Sequence, residues 1–335
     1  MRTFESAFVL FAAASLTAPA SADPAVSPTE YLDSAIASLR TNHVNRERVD
    51  WERLEAEARE MAEGAQTSAE TYDAILHVVA ELGEKHTTFL APPTSSPAAP
   101  GTQATAASSP KEPSAVLDGD RIGYLRVAQY VGSREAGRGY ADLLRDGLHR
   151  MADEGACGFV VDLRGNSGGN VWPMLDGVAS LLGTGNVLTF DVPAQGHFKV
   201  LIEEGVAYQE GAPPPYALDG YEPLADPFAP VAILTDGDTA SSAEALAIAF
   251  AGRANTRRFG ATTAGYATVN MPVELADGAV LFVTVGWNVD RTGHRWEAAL
   301  APDVSVPAGM ARDQAVAWLL GHPACNSGMA GVGGG

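Results

Sequence analysis

Three stretches near the start of the chain repeat apolar residues at intervals of three and four. Pro28-Thr-Glu-Tyr-Leu32 opens the first. Trp51-Glu-Arg-Leu-Glu-Ala-Glu-Ala-Arg-Glu-Met61 is the second, with a Glu-rich face, and Thr71-Tyr-Asp-Ala-Ile-Leu-His-Val-Val-Ala-Glu-Leu82 is the third, closed by Gly83. That spacing predicts a small helical N-terminal domain over 23–91, and a glycine after the last apolar turn is a stop signal. The pattern then breaks. Pro92 to Pro100 and the Ala/Ser/Thr/Pro run behind it hold too few large apolar side chains to pack, which predicts a flexible linker over 92–118. From Arg121 onward, strand-length apolar runs alternate with helical ones. Residues 122–127, 158–163 and 231–235 read as strands, the second almost wholly apolar, as suits a sheet covered on both faces. Residues 135–153, 172–182 and 242–250 read as helices. Asp277-Gly278, flanked by Pro272-Val-Glu-Leu-Ala and Ala279-Val-Leu-Phe-Val-Thr, is a hairpin signal. The alternation predicts an α/β layered core over 119–310, followed by a C-terminal helix and Gly-rich tail over 311–335.

Composition supports a packed core: 46% of the 335 residues are hydrophobic and 19% charged. The balance of 22 Lys and Arg against 41 Asp and Glu gives a net charge of −19, which repels polyphosphate and anionic lipid. The densest basic group, Arg253, Arg257 and Arg258, reads as a solvated helix end, so nucleic acid is not an expected partner. Residues 1–22 read as a signal peptide: Arg2, the apolar run Phe8 to Leu16, then Ala20-Ser-Ala22 as a small-residue cleavage site. That run is too short to anchor in a bilayer, and no other stretch approaches spanning length, so a soluble, periplasmic or secreted mature protein is expected. Two cysteines, Cys157 and Cys325, leave two readings open: a disulfide tying the tail to the core, or one buried and one free thiol.

Open α/β sheets place function at the carboxyl ends of their strands. Two strands here end in unusual loops. In Asp162-Leu-Arg-Gly-Asn-Ser-Gly-Gly-Asn170, three glycines let the backbone approach a ligand and aim amide N–H groups at a negative oxygen. In Asp236-Gly-Asp-Thr-Ala-Ser-Ser-Ala-Glu244, Ser241 and Ser242 stand at the mouth of a helix, where free N–H groups and the helix dipole favour an oxyanion. Ordinary N-capping by serine would use the same residues. A nucleophilic serine needs a base. Among the seven histidines His86 stands apart, because Glu84-Lys-His-Thr-Thr-Phe-Leu90 closes the helical segment and opens a loop.

Four segments in order, Leu82-Gly-Glu-Lys-His-Thr-Thr-Phe-Leu90, Ile122-Gly-Tyr-Leu-Arg-Val127, Val161-Asp-Leu-Arg-Gly-Asn-Ser-Gly-Gly-Asn170 and Thr239-Ala-Ser-Ser-Ala-Glu244, resemble the C-terminal-processing (tail-specific) serine peptidases, especially the branch that includes the tricorn core and the retinoid-binding modules. Phe259-Gly-Ala-Thr-Thr-Ala-Gly265 and Leu300-Ala-Pro-Asp303 add to it. The resemblance implies a crotonase-like spiral of β-β-α units beside the helical part. It implies Ser241 as nucleophile, His86 as general base, and the N–H groups of Gly168 and Ser242 as oxyanion hole. It also implies an acid orienting the histidine, matched by Glu297 with Glu244 as the alternative. Relatives that use a lysine base carry it where this chain has Tyr266, with Asn270 at an amide position, and no lysine follows Lys199. A His-based site and a base titrating near neutrality are therefore expected. No peptide-binding module separates the His segment from the core. The expected function is a serine endopeptidase acting on a protein or peptide substrate without metal or organic cofactor. A ligand-binding module of the same fold and a small-substrate esterase or amidase are the alternatives.

Overall fold

The structure, a computed structural model, describes residues 26–92, 112–119, 121–216 and 223–326. The expected signal peptide, most of the expected linker and the Gly-rich tail lie outside the described residues. Helices α1 (Pro28–Asn42), α2 (Trp51–Met61) and α3 (Tyr72–Ala80) form where the apolar spacing predicts them. Ser27 and Asp50 cap the first two, each side chain accepting an N–H of the first turn. Their inner faces pack Tyr31, Leu32, Leu39, Leu54, Ile75 and Val78 together. Strand β1 (Thr88–Leu90) follows. Residues 114–118, expected as the end of a linker, instead form strand β2 (Ser114–Asp118), which pairs antiparallel with β3 (Ile122–Arg126). The pairing supplies the order that its half-buried side chains alone do not signal.

Helix α4 (Arg134–Asp153) crosses to β4 (Gly158–Asp162). Next come α5 (Val171–Gly177), α6 (Ala179–Leu182) and a meander of β5 (Gly185–Val192), β6 (Gly196–Glu203) and β7 (Val206–Gln209). Strand β8 (Val231–Thr235) leads into α7 (Ser242–Ala249), β9 (Thr256–Gly260), β10 (Thr268–Glu274), β11 (Val280–Asp290), β12 (Arg295–Trp296), β13 (Val304–Ser305), α8 (Ala311–Leu320) and α9 (Pro323–Asn326).

One sheet runs β13-β9-β8-β4-β3-β2 and is parallel except for the edge strand β2. Its side chains alternate between two cores. Phe159, Val161, Val231 and Ile233 face the main core, whereas Val160, Ala232 and Leu234 face α8 through Ala311, Ala315 and Leu319. This is why those strands read as continuously apolar. The other sheet runs β1-β11-β5-β6-β7, with β10 and β12 also on β11. It fastens the helical part to the core: β1 pairs with β11, Val44 N–H donates to Thr284 C=O at 2.8 Å, and the Tyr31 and Tyr72 hydroxyls both reach Asp277 at the β10–β11 turn.

Arg253, Arg257 and Arg258 are not a solvated helix end. Arg253 donates to the carbonyls of Pro227 and Ala229, and Arg257 and Arg258, on β9, stack over Trp318 and Trp296. Among the described residues, no helix is long and apolar enough to cross a membrane.

Cys157 and Cys325 are joined in a disulfide that ties α9 to the start of β4 across 168 residues. Closing so long a loop restricts the unfolded chain, an effect of roughly 2–5 kcal/mol. Cys325→Ser is expected to lower the melting midpoint by several degrees, and reductant is expected to lower the wild type to the same value, both read by thermal unfolding.

Candidate active site

The carboxyl ends of β4 and β8 lie side by side, and the loops that follow are laced together. Thr239 Oγ1 donates to Leu163 C=O at 3.0 Å, and Ala240 N–H to Asn166 C=O at 2.9 Å. The second loop delivers Ser241 at the N-terminus of α7 with φ +53° and ψ −116°. That is a strained conformation for a residue with a Cβ. Glu244, fully buried, holds the turn: it accepts the N–H groups of Ser241 (3.0 Å), Gly265 (2.9 Å) and Tyr266 (2.6 Å) and the hydroxyl of Thr263 (2.5 Å). A carboxylate with four donors is fixed in place and cannot be withdrawn without leaving an unpaired buried charge.

Opposite stands His86, brought in by the loop between α3 and β1. Its Nε2 lies 3.1 Å from Ser241 Oγ, and its Nδ1 lies 2.6 Å from Thr268 Oγ1. Both partners are hydroxyls, able to donate or accept; in the tautomer with the proton on Nδ1, that nitrogen donates to Thr268 and Nε2 accepts from Ser241. The histidine backbone is clamped at both ends. Its N–H donates to Glu84 at 2.6 Å, and its C=O accepts from Asn270 Nδ2 at 2.8 Å. Glu84 also accepts Thr87 N–H and lies 3.2 Å from His43 Nε2, whose own Nδ1 accepts Asn45 N–H. Burial alone would raise Glu84, but the hydrogen bonds from His43, Thr87 and the His86 backbone outweigh it and bring its pKa down to about 2. His86 moves the other way from the neutral range expected. Burial disfavours its charged form, the Glu84 carboxylate offsets this in part, Lys85 adds to it, and the pKa falls to about 4. The imidazole is therefore unprotonated at neutral pH and ready to take a proton.

Two expected residues stand elsewhere. Glu297 is half-exposed and ion-paired with Arg295, which lies two residues before it. Its side chain points to that surface partner, and Thr268, not Glu297 or Glu244, holds His86 Nδ1. Gly168 N–H is donated to Asn166 Oδ1 at 2.9 Å and does not serve as a free donor. Among the described residues, the N–H groups of Ser167 and Gly169, which line the cleft with Ser241, and that of Ser242 have no hydrogen-bond partner, and the Gly169 carbonyl accepts from the Ser242 hydroxyl. Both glycines are required by space as well as by positive φ. A Cβ on Gly168 would stand 2.8 Å from Ser241 Cβ, and one on Gly169 would stand 2.0 Å from Tyr130 C=O. A cleft of about 460 Å³ opens over His86, Gly169 and Ser241, walled by Tyr266, whose ring meets His86 edge-on. Among the described residues, no three His, Cys, Asp or Glu side chains converge to hold a metal ion.

The sequence model described as Peptidase family S41 matches residues 121–306, more than half of the chain. The chain belongs to peptidase family S41. This S41 peptidase is 30% identical over 209 residues to the nisin-resistance protein of Lactococcus lactis subsp. lactis, covering 62% of this chain and 63% of that one. It is 27% identical over 167 residues to the carboxyl-terminal-processing protease of Synechocystis sp., covering 50% of this chain and 33% of that protein. The chain thus spans about three fifths of the first relative and a third of the second. In fold it is similar to a lipoprotein from Streptococcus agalactiae (TM-score 0.70, 20% identity, 88% of this chain and 97% of that chain). It is also similar to the photosystem II D1 C-terminal processing protease (TM-score 0.57, 18% identity, 90% and 99%). The matched residues include Ser241 and the glycine loop but stop short of His86, which only the fold brings to the serine.

Protonation of His86 removes the base, so kcat/KM is expected to stay level from neutrality down to about pH 5 and to fall as pH approaches 4. Steady-state cleavage of an uncharged peptide across this range checks it, and a midpoint near 6.5 contradicts it. Thr268→Val removes the hydrogen bond that holds Nδ1 and is expected to lower kcat by about tenfold. Glu297→Gln is expected to change it by less than about twofold, as for other surface substitutions, in the same assay.

Proposed function

We propose that this chain is an exported serine endopeptidase with a Ser–His couple. His86 takes the Ser241 proton as Ser241 attacks a peptide carbonyl, and the N–H groups of Ser242 and Gly169 receive the oxyanion at the start of α7. His86 then gives its proton to the leaving amine, and water clears the acyl-enzyme by the reverse sequence. Thr268 keeps the imidazole in the productive tautomer, the part an acid plays in other triads. The observation that carries this reading is the 3.1 Å contact between His86 Nε2 and Ser241 Oγ, with the serine backbone held strained at a helix N-terminus. A polypeptide substrate is supported by the carboxyl-terminal-processing proteases among its relatives. Export is supported by the Arg2, Phe8–Leu16 and Ala20-Ser-Ala22 pattern and by the Cys157–Cys325 disulfide, a bond of oxidising compartments.

Reaction of the purified protein with a fluorophosphonate serine probe tests the couple. Labelling is expected for the wild type and is expected to be lost in Ser241→Ala and His86→Ala. Absence of labelling in a folded wild type would overturn the reading.

A further inference from the structure

Past the end of β3, Tyr130 forms a single parallel bridge with Gly169: its N–H donates to Gly168 C=O at 3.3 Å, and its C=O accepts Asn170 N–H at 2.8 Å. In such a bridge, successive residues direct their polar groups to opposite sides. The backbone groups of Gln129 and Val131 therefore face away from the glycine loop, and among the described residues neither has a hydrogen-bond partner. Val131 is 80% exposed, a large apolar side chain standing in solvent beside the site. Gln129 lines the cleft over Ser241 and also a second hollow of about 380 Å³. That hollow lies against the outer face of α4, between Tyr140, Gly139 and Leu143, with Pro113 opposite. Gly139 leaves its floor open, since nothing lies within 4 Å of where a Cβ would stand, and Leu143 is 46% exposed.

We propose that this unpaired edge and the hollow beyond it are the docking surface for an extended polypeptide substrate, an inference that rests on Ser241 being the nucleophile. The peptide adds as a strand to Gln129–Val131, which lays its scissile carbonyl beside Gly169 and Ser241. An apolar side chain on one side of the scissile bond is seated over Gly139 between Tyr140 and Leu143. Main-chain pairing supplies affinity for unfolded chain of any sequence, and the hollow supplies preference for an apolar residue away from the cut. Continuity through Gln129 is what selects the substrate as occupant, because the same chain must pass over both. A small ester reaches only the cleft.

Two measurements on the intact protein test it: the rate of fluorophosphonate labelling, which needs only the cleft, and kcat/KM on a pool of quenched-fluorescence decapeptides. Gly139→Trp fills the hollow from an exposed helix face, and Leu143→Glu makes it polar without filling it. Both are expected to lower decapeptide kcat/KM on the order of tenfold or more, as for loss of an apolar subsite, with the labelling rate within about twofold of wild type. Val131→Pro removes the outward donor and leaves Tyr130 in the extended geometry its bridge requires. It is expected to raise KM several-fold with kcat held. Unchanged decapeptide kinetics in all three variants would overturn the docking surface. So would a wild type that labels but cleaves no decapeptide. A wild type that fails to label indicts the Ser241 reading instead, which keeps the two failures apart.

Discussion

The hydrogen bond between His86 Nε2 and Ser241 Oγ joins positions 155 residues apart, one at the end of the helical part and one at the start of α7. A shift of one ångström at either end breaks it, so the attachment of the helical part to the core sets the site. That attachment is redundant. Strand β1, two residues past the histidine, is zipped to β11, Asn270 holds the His86 carbonyl, and Thr284 reaches both Thr87 and Asn270. Further out, two tyrosine hydroxyls converge on Asp277. Each contact is modest alone, but together they fix His86 from several directions.

The serine end is fixed differently. Its backbone occupies a strained region, and strain of that kind persists only where the surroundings over-determine it. Glu244 is the main restraint: one buried carboxylate gathers the Ser241 turn and the 263–266 loop that walls the cleft. This explains why an acid three residues past Ser241 is not available to His86. The other side of the turn is set by glycines, whose missing Cβ atoms let the β4 loop close to van der Waals contact with Ser241. The result is a Ser241 hydroxyl set against the His86 imidazole, near amides that have no partner among the described residues.

Much of this was legible in the sequence because burial writes a period into the chain. The three N-terminal helices bury one stripe each, and β4 and β8 bury both faces, so their spacing is plain. Strands β1 and β2 were not legible: one is three residues long, the other only half-buried, and both exist by pairing. The meander of β5 to β7 escapes for a similar reason, since exposed polar positions interrupt its apolar ones. At the site, Ser241 and His86 were readable from ordered segments. The orienting group was not, because the resemblance matches Glu297 by its place shortly before Pro302-Asp303 but says nothing of where the side chain points. Thr268, an ordinary strand threonine, carries no signal until the fold sets its hydroxyl against Nδ1. Likewise, choosing between the amides of Gly168 and Gly169 required knowing that Asn166 turns back on the first.

The central claim is that Ser241 is acylated during turnover. Intact-mass analysis of an acid-quenched reaction with a peptide substrate, followed by mapping of the modified fragment, tests it most directly. A transient mass increase equal to the acyl half of the substrate and located at Ser241 is the expected result. Sustained peptide cleavage with no adduct, or an adduct on Ser242, would contradict it.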